Sequence, residues 1–531
     1  MSDKNNRLIK KQNIIKNAVI LAAGYGIRMI PINIEIPKGL IYIEGETLIE
    51  RLIKQLHEVD IREITVIVGY MKSEYEYLTY KYGVKLVEND DFMIKNNLHS
   101  LSLVKHKINN TYIIPCDIWC KENQFCLDEQ DSWYMIRDTI ENNSNVKINK
   151  DNELIRTQNI ENESSMIGIS YISKDIKDRL INRLTELDQN EEYDNCFWEE
   201  ALFEDNKMIV KPKIVDNDEV YEINTYEELR QIDSKSQSLN NEIITLISKE
   251  LNVSTHEIYN IEVLKKGMTN RSFMFCCKDK KYIMRIPGEG TEKLINRDNE
   301  AKVYSLVNEH GISDKLVYIN PLNGYKITEY MPNSRTCDAK NIDDVKACMS
   351  VLRNFHNLNL KVSHEFNLFE EIEFYEGLRN SKKSIFEDYE TTKKNVYELK
   401  KYIDSQPKEY TLTHIDAIPD NLLFYEDKIK MIDWEYASMQ DPHVDIAMFA
   451  IYSYYDKKEV DTLIDLYFEN KCDKATRLKI YCYIAVCGLL WSNWCEYKLA
   501  FGVEFGDYLE VQYNYAKTYY EIVMKEIVTS V

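Results

Sequence analysis

HIDAIPDN, residues 414–421, followed by IDWE, residues 432–435, sets an Asp, an Asn five residues later and a second Asp twelve residues beyond that. Phosphoryl transfer from ATP uses these side chains: one carboxylate to orient or deprotonate an attacking hydroxyl, an amide oxygen and a second carboxylate to hold Mg2+ on the phosphates. The apolar residues around IDWE (KIKMIDWEYA) predict a short buried strand that delivers Asp433. A polar turn before a hairpin would account for HxD alone, but not for the full HxDxxxxN…DxE arrangement.

Outward from this stretch the layout agrees. IYNIEVLKKGMTNRSFMFCCKDKKYIMRIPG reads as antiparallel strands with tight turns, and from about Val345 the pattern turns helical and Tyr-rich. A small β-rich lobe (about 240–330) ahead of a larger helical lobe (about 331–531) makes an α+β bilobal, kinase-like unit. Residues 17–120 differ: the apolar strands NAVILAA, EITVIVGY, VKLVEN and TYIIPCD alternate with helical patterns such as TLIERLIKQLHEV. That alternation predicts an α/β domain with a doubly wound, mostly parallel sheet, whose ligands bind beyond the carboxyl ends of the strands. The polar stretch LRQIDSKSQSLNNE sets the boundary, giving domains 1–235 and 236–531.

A formal charge of −21 argues against non-specific binding to nucleic acid. Twelve Cys without a CxxC framework read as reduced thiols of a cytoplasmic protein. The basic N-terminus before AVILAAG lacks a cleavage signal, and no apolar run approaches the roughly 20 residues of a membrane helix.

In the first domain the strand end Ala22–Ala23 runs into Gly24 and Gly26, where backbone N–H groups can approach a phosphate. Arg28 and Lys38 add two cations. GYGIRMIPINIEIPKGL resembles the GxGxRMxPxT…PKxL signature of nucleotidyltransferases that make sugar-nucleotides and CDP-alcohols, with Ile27 where Thr or Ser is usual and Asn33 where Thr is usual. The resemblance covers about residues 17–232 and is nearest to CTP:phosphocholine cytidylyltransferases. It implies a nucleotidyltransferase fold, with Mg2+ held by Asp117 and by Asn224, where many relatives have Asp in EIDT. It further implies a nucleotide-side stretch with Asn89 and Ser100, and an acceptor-side stretch, DNCFWEEALFED, in which Trp198, Glu199 and Glu200 are candidates for a trimethylammonium pocket. An amphipathic helix burying Phe197 and Leu202 fits the same residues.

The second domain resembles choline kinases, within the family that includes aminoglycoside phosphotransferases, over about residues 240–531. The resemblance implies a phosphate-covering turn with Gly267 and Asn270, a phosphate-binding Arg285 paired with Glu300, and an adenine-side hinge at Glu329. It makes Asp416 the catalytic base and Asn421 and Asp433 the Mg2+ ligands, with His414 and Asp445 bracing the loop. In GLLWSNWCEY, Trp491 and Trp494 share a helix face. By resemblance they form an aromatic cage, with Glu435 and Tyr436 adding charge and a wall. Both Trp as plain core residues is the competing reading.

The two resemblances together imply a bifunctional enzyme that phosphorylates choline with ATP and condenses phosphocholine with CTP, giving CDP-choline and pyrophosphate. Its cofactor is Mg2+, its partners are choline, phosphocholine, ATP and CTP, and neither nucleic acid nor membrane insertion enters. The same folds acting on ethanolamine, another amino-alcohol or an aminoglycoside, or serving as a nucleotide-sensing scaffold, are the alternatives.

Overall fold

The computed structural model describes residues 15, 17–137, 146–157, 165–264, 270–288, 290–379, 383–499 and 505–529. The chain divides into two compact units, Met1–Val263 and Leu264–Val531.

In the first unit, β1 (Asn17–Ala22) leads toward α1 (Leu48–Glu58), β2 (Glu63–Val68), β3 (Lys85–Glu88), α2 (Asn97–Leu103) and β4 (Thr111–Pro115). β5 (Trp133–Arg137), β6 (Ser165–Ile172) and β7 (Lys211–Val215) complete a seven-stranded sheet in the order β7-β5-β6-β4-β1-β2-β3. All neighbours run parallel except β6, which is antiparallel to β4 and β5. β1 reads as one apolar run because both its faces are covered: Ala18, Ile20 and Ala22 enter one core, Val19 and Leu21 the other. α1 begins where the Thr47 hydroxyl accepts from the Glu50 N–H at 3.3 Å, and it buries Leu48, Ile49, Leu52, Ile53 and Leu56.

A short hairpin places the chemistry. Ile118–Cys120, just after β4, pairs antiparallel with Val220–Glu222, and the Ile223 N–H donates to the Asp117 carbonyl at 2.9 Å. Residues about a hundred apart in sequence therefore meet at the carboxyl end of β4. The compact unit runs on to Val263, beyond the 235/236 boundary read from the sequence. The polar stretch is bonded to the first unit: the Tyr42 N–H donates to Ser238 at 3.0 Å and the Glu44 N–H to Asp233 at 2.9 Å.

In the second unit, β8 (Asn270–Cys277), β9 (Lys280–Pro287), β10 (Leu316–Ile319) and β11 (Lys326–Glu329) pair antiparallel as β8-β9-β11-β10, with α3 (Arg297–Glu309) between β9 and β10 in sequence. The rest is mainly helical, including α4 (Ile342–Asn357), α5 (His443–Tyr452), α6 (Lys474–Leu499) and α7 (Tyr508–Thr529). α6 is buried almost all round from Leu478 to Cys495, so its sequence carries no polar stripe. Gly488 is required where α7 crosses it, since a Cβ there would lie 2.6 Å from the Gln512 carbonyl. Among the described residues no helix is long and apolar enough to cross a membrane.

Two strand pairings clamp the HIDAIPDN stretch. Thr411–Thr413 pairs with Ser438–Gln440, and the hairpin Leu422–Tyr425/Lys428–Met431 lies between them. His414 thus leaves one strand as Glu435 approaches its partner, and Asp416, Asn421 and Asp433 are gathered between.

Candidate active sites

In the first unit, Gly26 takes the left-handed conformation (φ +65°) at the turn after β1, which glycine adopts without steric cost. Asn33 fills the place of the usual Thr by bracing this turn: its amide donates to the carbonyls of Tyr25 and Gly26, each at 3.1 Å. Ala22 and Ala23 are buried, and the Ala23 carbonyl accepts from the Tyr70 N–H at 3.0 Å. Four of the expected residues meet. Asn224 Oδ1 accepts from Arg28 Nη2 and from Lys38 Nζ, each at 2.7 Å, while Lys38 also pairs with Asp117 Oδ2. The other Asp117 oxygen is buried with no hydrogen-bond partner among the described residues. An orphaned carboxylate oxygen beside an amide oxygen fits a divalent cation. Glu222, which the sequence reading passed over, faces the same place: burial and then Asp117 raise its carboxyl.

Asn89 and Ser100 come together, the amide donating to the hydroxyl at 2.9 Å. The acceptor-side stretch is rearranged relative to expectation. Residues Trp198–Leu202 form a 3-10 turn that buries Trp198 and Leu202 completely and leaves Phe197 61% exposed. Trp198 packs its ring 6.2 Å from Tyr134 and donates its backbone N–H to Asn97 at 2.7 Å. No face of it is open to a ligand, and Phe197, not Trp198, is the outward aromatic. Glu200 is engaged by Arg156 at 2.5 Å. Glu199 is the remaining acid: it accepts from the Tyr134 hydroxyl at 2.9 Å, and burial, with Glu222 and Asp117 adding, pushes it up to about 7.

In the second unit Arg285 and Glu300 form a buried, two-pronged ion pair, with Nη2–Oε2 at 2.9 Å. Against burial, which would raise it, Arg285 holds the Glu300 carboxyl down at about 2. Arg297, not anticipated from the sequence, lies 2.9 Å from Glu300 and 3.3 Å from Glu435. Glu435 also accepts from Asn270 at 3.0 Å and lies 3.7 Å from Arg285. It is thus turned toward these cations, where the sequence reading set it beside the cage. Glu329 ends β11 in ion pairs with Lys315 and Lys280. Gly267 lies outside the described residues.

Asn421 donates to Asp416 Oδ2 at 3.0 Å. Asp445 accepts from the backbone N–H groups of His414 and Ile415 at 2.9 and 2.8 Å and pairs with His356 at 2.9 Å. Burial, reinforced by Asp433 and Glu435, pushes Asp416 up to about 8; burial and Glu435 raise Asp433 as well. Among the described residues no group of three or more acidic, His or Cys side chains is arranged to hold a metal alone, so a cation here would share its ligands with phosphate oxygens. Asp416 has a folded value above its unfolded value of about 4, so between the two the folded state binds more protons and stability falls as pH rises. A divalent cation favours the ionised forms. Mg2+ with a non-hydrolysable ATP analogue should therefore raise the melting temperature more at pH 8 than at pH 6; equal shifts would contradict this assignment.

The aromatic residues also converge. Trp491 and Trp494 have ring centroids 5.7 Å apart at 71°, and Tyr436 stands edge-on to Trp491 at 5.5 Å. Phe505, 5.5 Å from Trp494, adds a ring the sequence reading had not picked out. The Trp491 N–H points to Met448 Sδ at 2.8 Å, while the Trp494 N–H has no partner among the described residues.

A parallel-sheet unit with a cation–carboxylate cluster at a strand end, and a bilobal unit with an Asp/Asn/Asp set, define a two-site nucleotide-dependent transferase. Comparison with known proteins agrees. The family described as MobA-like NTP transferase domain matches residues 18–125, and Choline/ethanolamine kinase matches residues 261–483. The chain is 30% identical over 221 residues to choline-phosphate cytidylyltransferase of Streptococcus pneumoniae, covering 41% of this chain and 96% of that one. It is 29% identical over 259 residues to Protein LicA of Haemophilus influenzae, covering 46% and 74%. The crystal structure of choline kinase LicA from Streptococcus pneumoniae aligns at 29% identity and a TM-score of 0.47, covering 53% of this chain and all of that one. The chain belongs to the choline-phosphate cytidylyltransferase family in its first part, and its second part matches the family described as Choline/ethanolamine kinase.

Proposed function

We propose that this bifunctional enzyme phosphorylates choline with ATP in its second unit and joins phosphocholine to CTP in its first, releasing CDP-choline and pyrophosphate. What supports this reading is the position of Tyr436, which lies with Trp491 and Trp494 in the buried core of the second unit. It follows directly on the Asp433–Glu435 acids in the chain and stands against Trp491 at 5.5 Å. A quaternary ammonium has no N–H to donate, and aromatic faces are the surfaces that attract it.

In the kinase unit, Asp416 accepts the proton of the choline hydroxyl as the choline oxygen attacks the γ-phosphorus of ATP, the bond to the β–γ bridging oxygen breaks and ADP departs, with Arg285 balancing charge on the phosphates. In the transferase unit, a phosphate oxygen of phosphocholine attacks the α-phosphorus of CTP in line, and Arg28 and Lys38 stabilise the departing pyrophosphate. Asn421 and Asp433 in one unit, and Asp117 and Asn224 in the other, would hold Mg2+, which would supply charge neutralisation on the phosphates. Glu199 is the acid left to balance the trimethylammonium in the transferase unit. A cytoplasmic location suits a sequence of twelve cysteines with no CxxC framework.

The test is to incubate the protein with ATP, CTP, Mg2+ and either choline or ethanolamine and identify the products by mass. Phosphocholine followed by CDP-choline is expected, and a preference for ethanolamine would overturn the choline assignment. Trp491→Ala should raise the KM for choline ~2- to 30-fold, the equivalent of roughly 0.5–2 kcal/mol of cation–π attraction, and leave the KM for ATP unchanged.

A further inference from the structure

We infer that Tyr304 is a positioning residue for Asp433, clamping the peptide that aims this carboxylate; the inference rests on reading Asp433 as a Mg2+ ligand. Asp433 has φ +64°, in the left-handed region that an L side chain occupies only where its surroundings hold it. The peptide unit between Ile432 and Asp433 is held at both ends. Its carbonyl lies 2.9 Å from His414 Nε2, and its N–H donates to the Tyr304 hydroxyl oxygen at 3.3 Å. Rotating that peptide would break both bonds at once.

Tyr304 is itself fixed. It is fully buried, its hydroxyl oxygen accepts from the Lys326 ammonium, and that ammonium lies 3.8 Å from the ring centroid. Lys326 is opposite Arg285 across the β9–β11 pairing and 3.9 Å from Glu300. On α3, Tyr304 follows Glu300 by four residues, so the two share one face. The helix that supplies the partner of the phosphate-binding Arg285 therefore also supplies the clamp on the metal-binding aspartate. A shift of α3 would disturb both together, which makes its position a joint condition for binding phosphate and metal.

Tyr304→Phe keeps the ring and removes only the accepting oxygen. Titration calorimetry of Mn2+ into the full chain holding a non-hydrolysable ATP analogue should show binding weakened about fivefold, the size expected for one lost hydrogen bond. The KM for choline should not change, whereas general loosening of the lobe would move both. Asp433→Asn is the control. If it leaves Mn2+ binding intact, the metal reading of Asp433 fails; if it abolishes binding while Tyr304→Phe binds like the parent, the clamp is overturned. Should Tyr304→Phe melt early, Lys326→Met frees the hydroxyl to turn away. Weakened Mn2+ binding with an unchanged choline KM then supports the clamp, and parental binding overturns it.

Discussion

Asp416→Ala is expected to lower phosphocholine formation by about 10²–10⁴-fold, the usual contribution of a positioned general base, and to leave CDP-choline synthesis from supplied phosphocholine unchanged. The side chain is well placed for that role. Asn421 holds one of its oxygens at 3.0 Å, and burial with Asp433 and Glu435 nearby raises its carboxyl to about 8, making it a stronger base than a surface aspartate. The substitution removes one of several crowded acids, so it should not destabilise the unit; relieving like-charge repulsion favours an unchanged or higher melting temperature. A loss of both activities together would contradict two independent sites. Asp416→Asn separates the roles further, since an amide can orient a hydroxyl but cannot take its proton.

Where the chemistry lies close together in sequence, it was legible there. Asp416, Asn421 and Asp433 fall within eighteen residues, and a strand pair and a hairpin suffice to gather them. The strands of the first unit were equally plain, because β1 and β2 are apolar on both faces and helices alternate with them. Contacts across long separations were not legible. Arg297 meets Glu435 across 138 residues and Tyr304 meets Asp433 across 129, and no local pattern marks either pair. The acceptor-side stretch failed for a different reason. Trp198 was placed in the pocket by resemblance and Phe197 inside by the competing helix, and the 3-10 turn does the opposite of both, burying Trp198 and exposing Phe197. Glu200 looked free because its partner Arg156 lies on a strand 44 residues earlier. The polar composition around residue 235 was read as the domain boundary, but its side chains bond to the first unit.

Lys38→Ala should lower CDP-choline formation by about 10²–10³-fold, the loss expected for removing a cation aimed at a developing negative charge. The same variant should phosphorylate choline at the parental rate. Lys38 pairs with Asp117 and donates to Asn224 Oδ1 at 2.7 Å, so its ammonium sits between the two residues assigned to Mg2+. Arg28 reaches the same Asn224 oxygen at 2.7 Å and can neutralise only part of the deficit. Because Asn224 is uncharged, Asp117 is, among the described residues, the carboxylate paired with Lys38. Removing the ammonium leaves that carboxylate unpaired, which should draw in a divalent cation more strongly while leaving the pyrophosphate less stabilised. The signature is therefore a split: a lower half-saturating Mg2+ concentration together with a collapsed kcat. A collapse in kcat with a raised Mg2+ requirement would mean that Lys38 shapes the metal site rather than the leaving group. Loss of choline phosphorylation in the same variant would refute the assignment of the two activities to separate units.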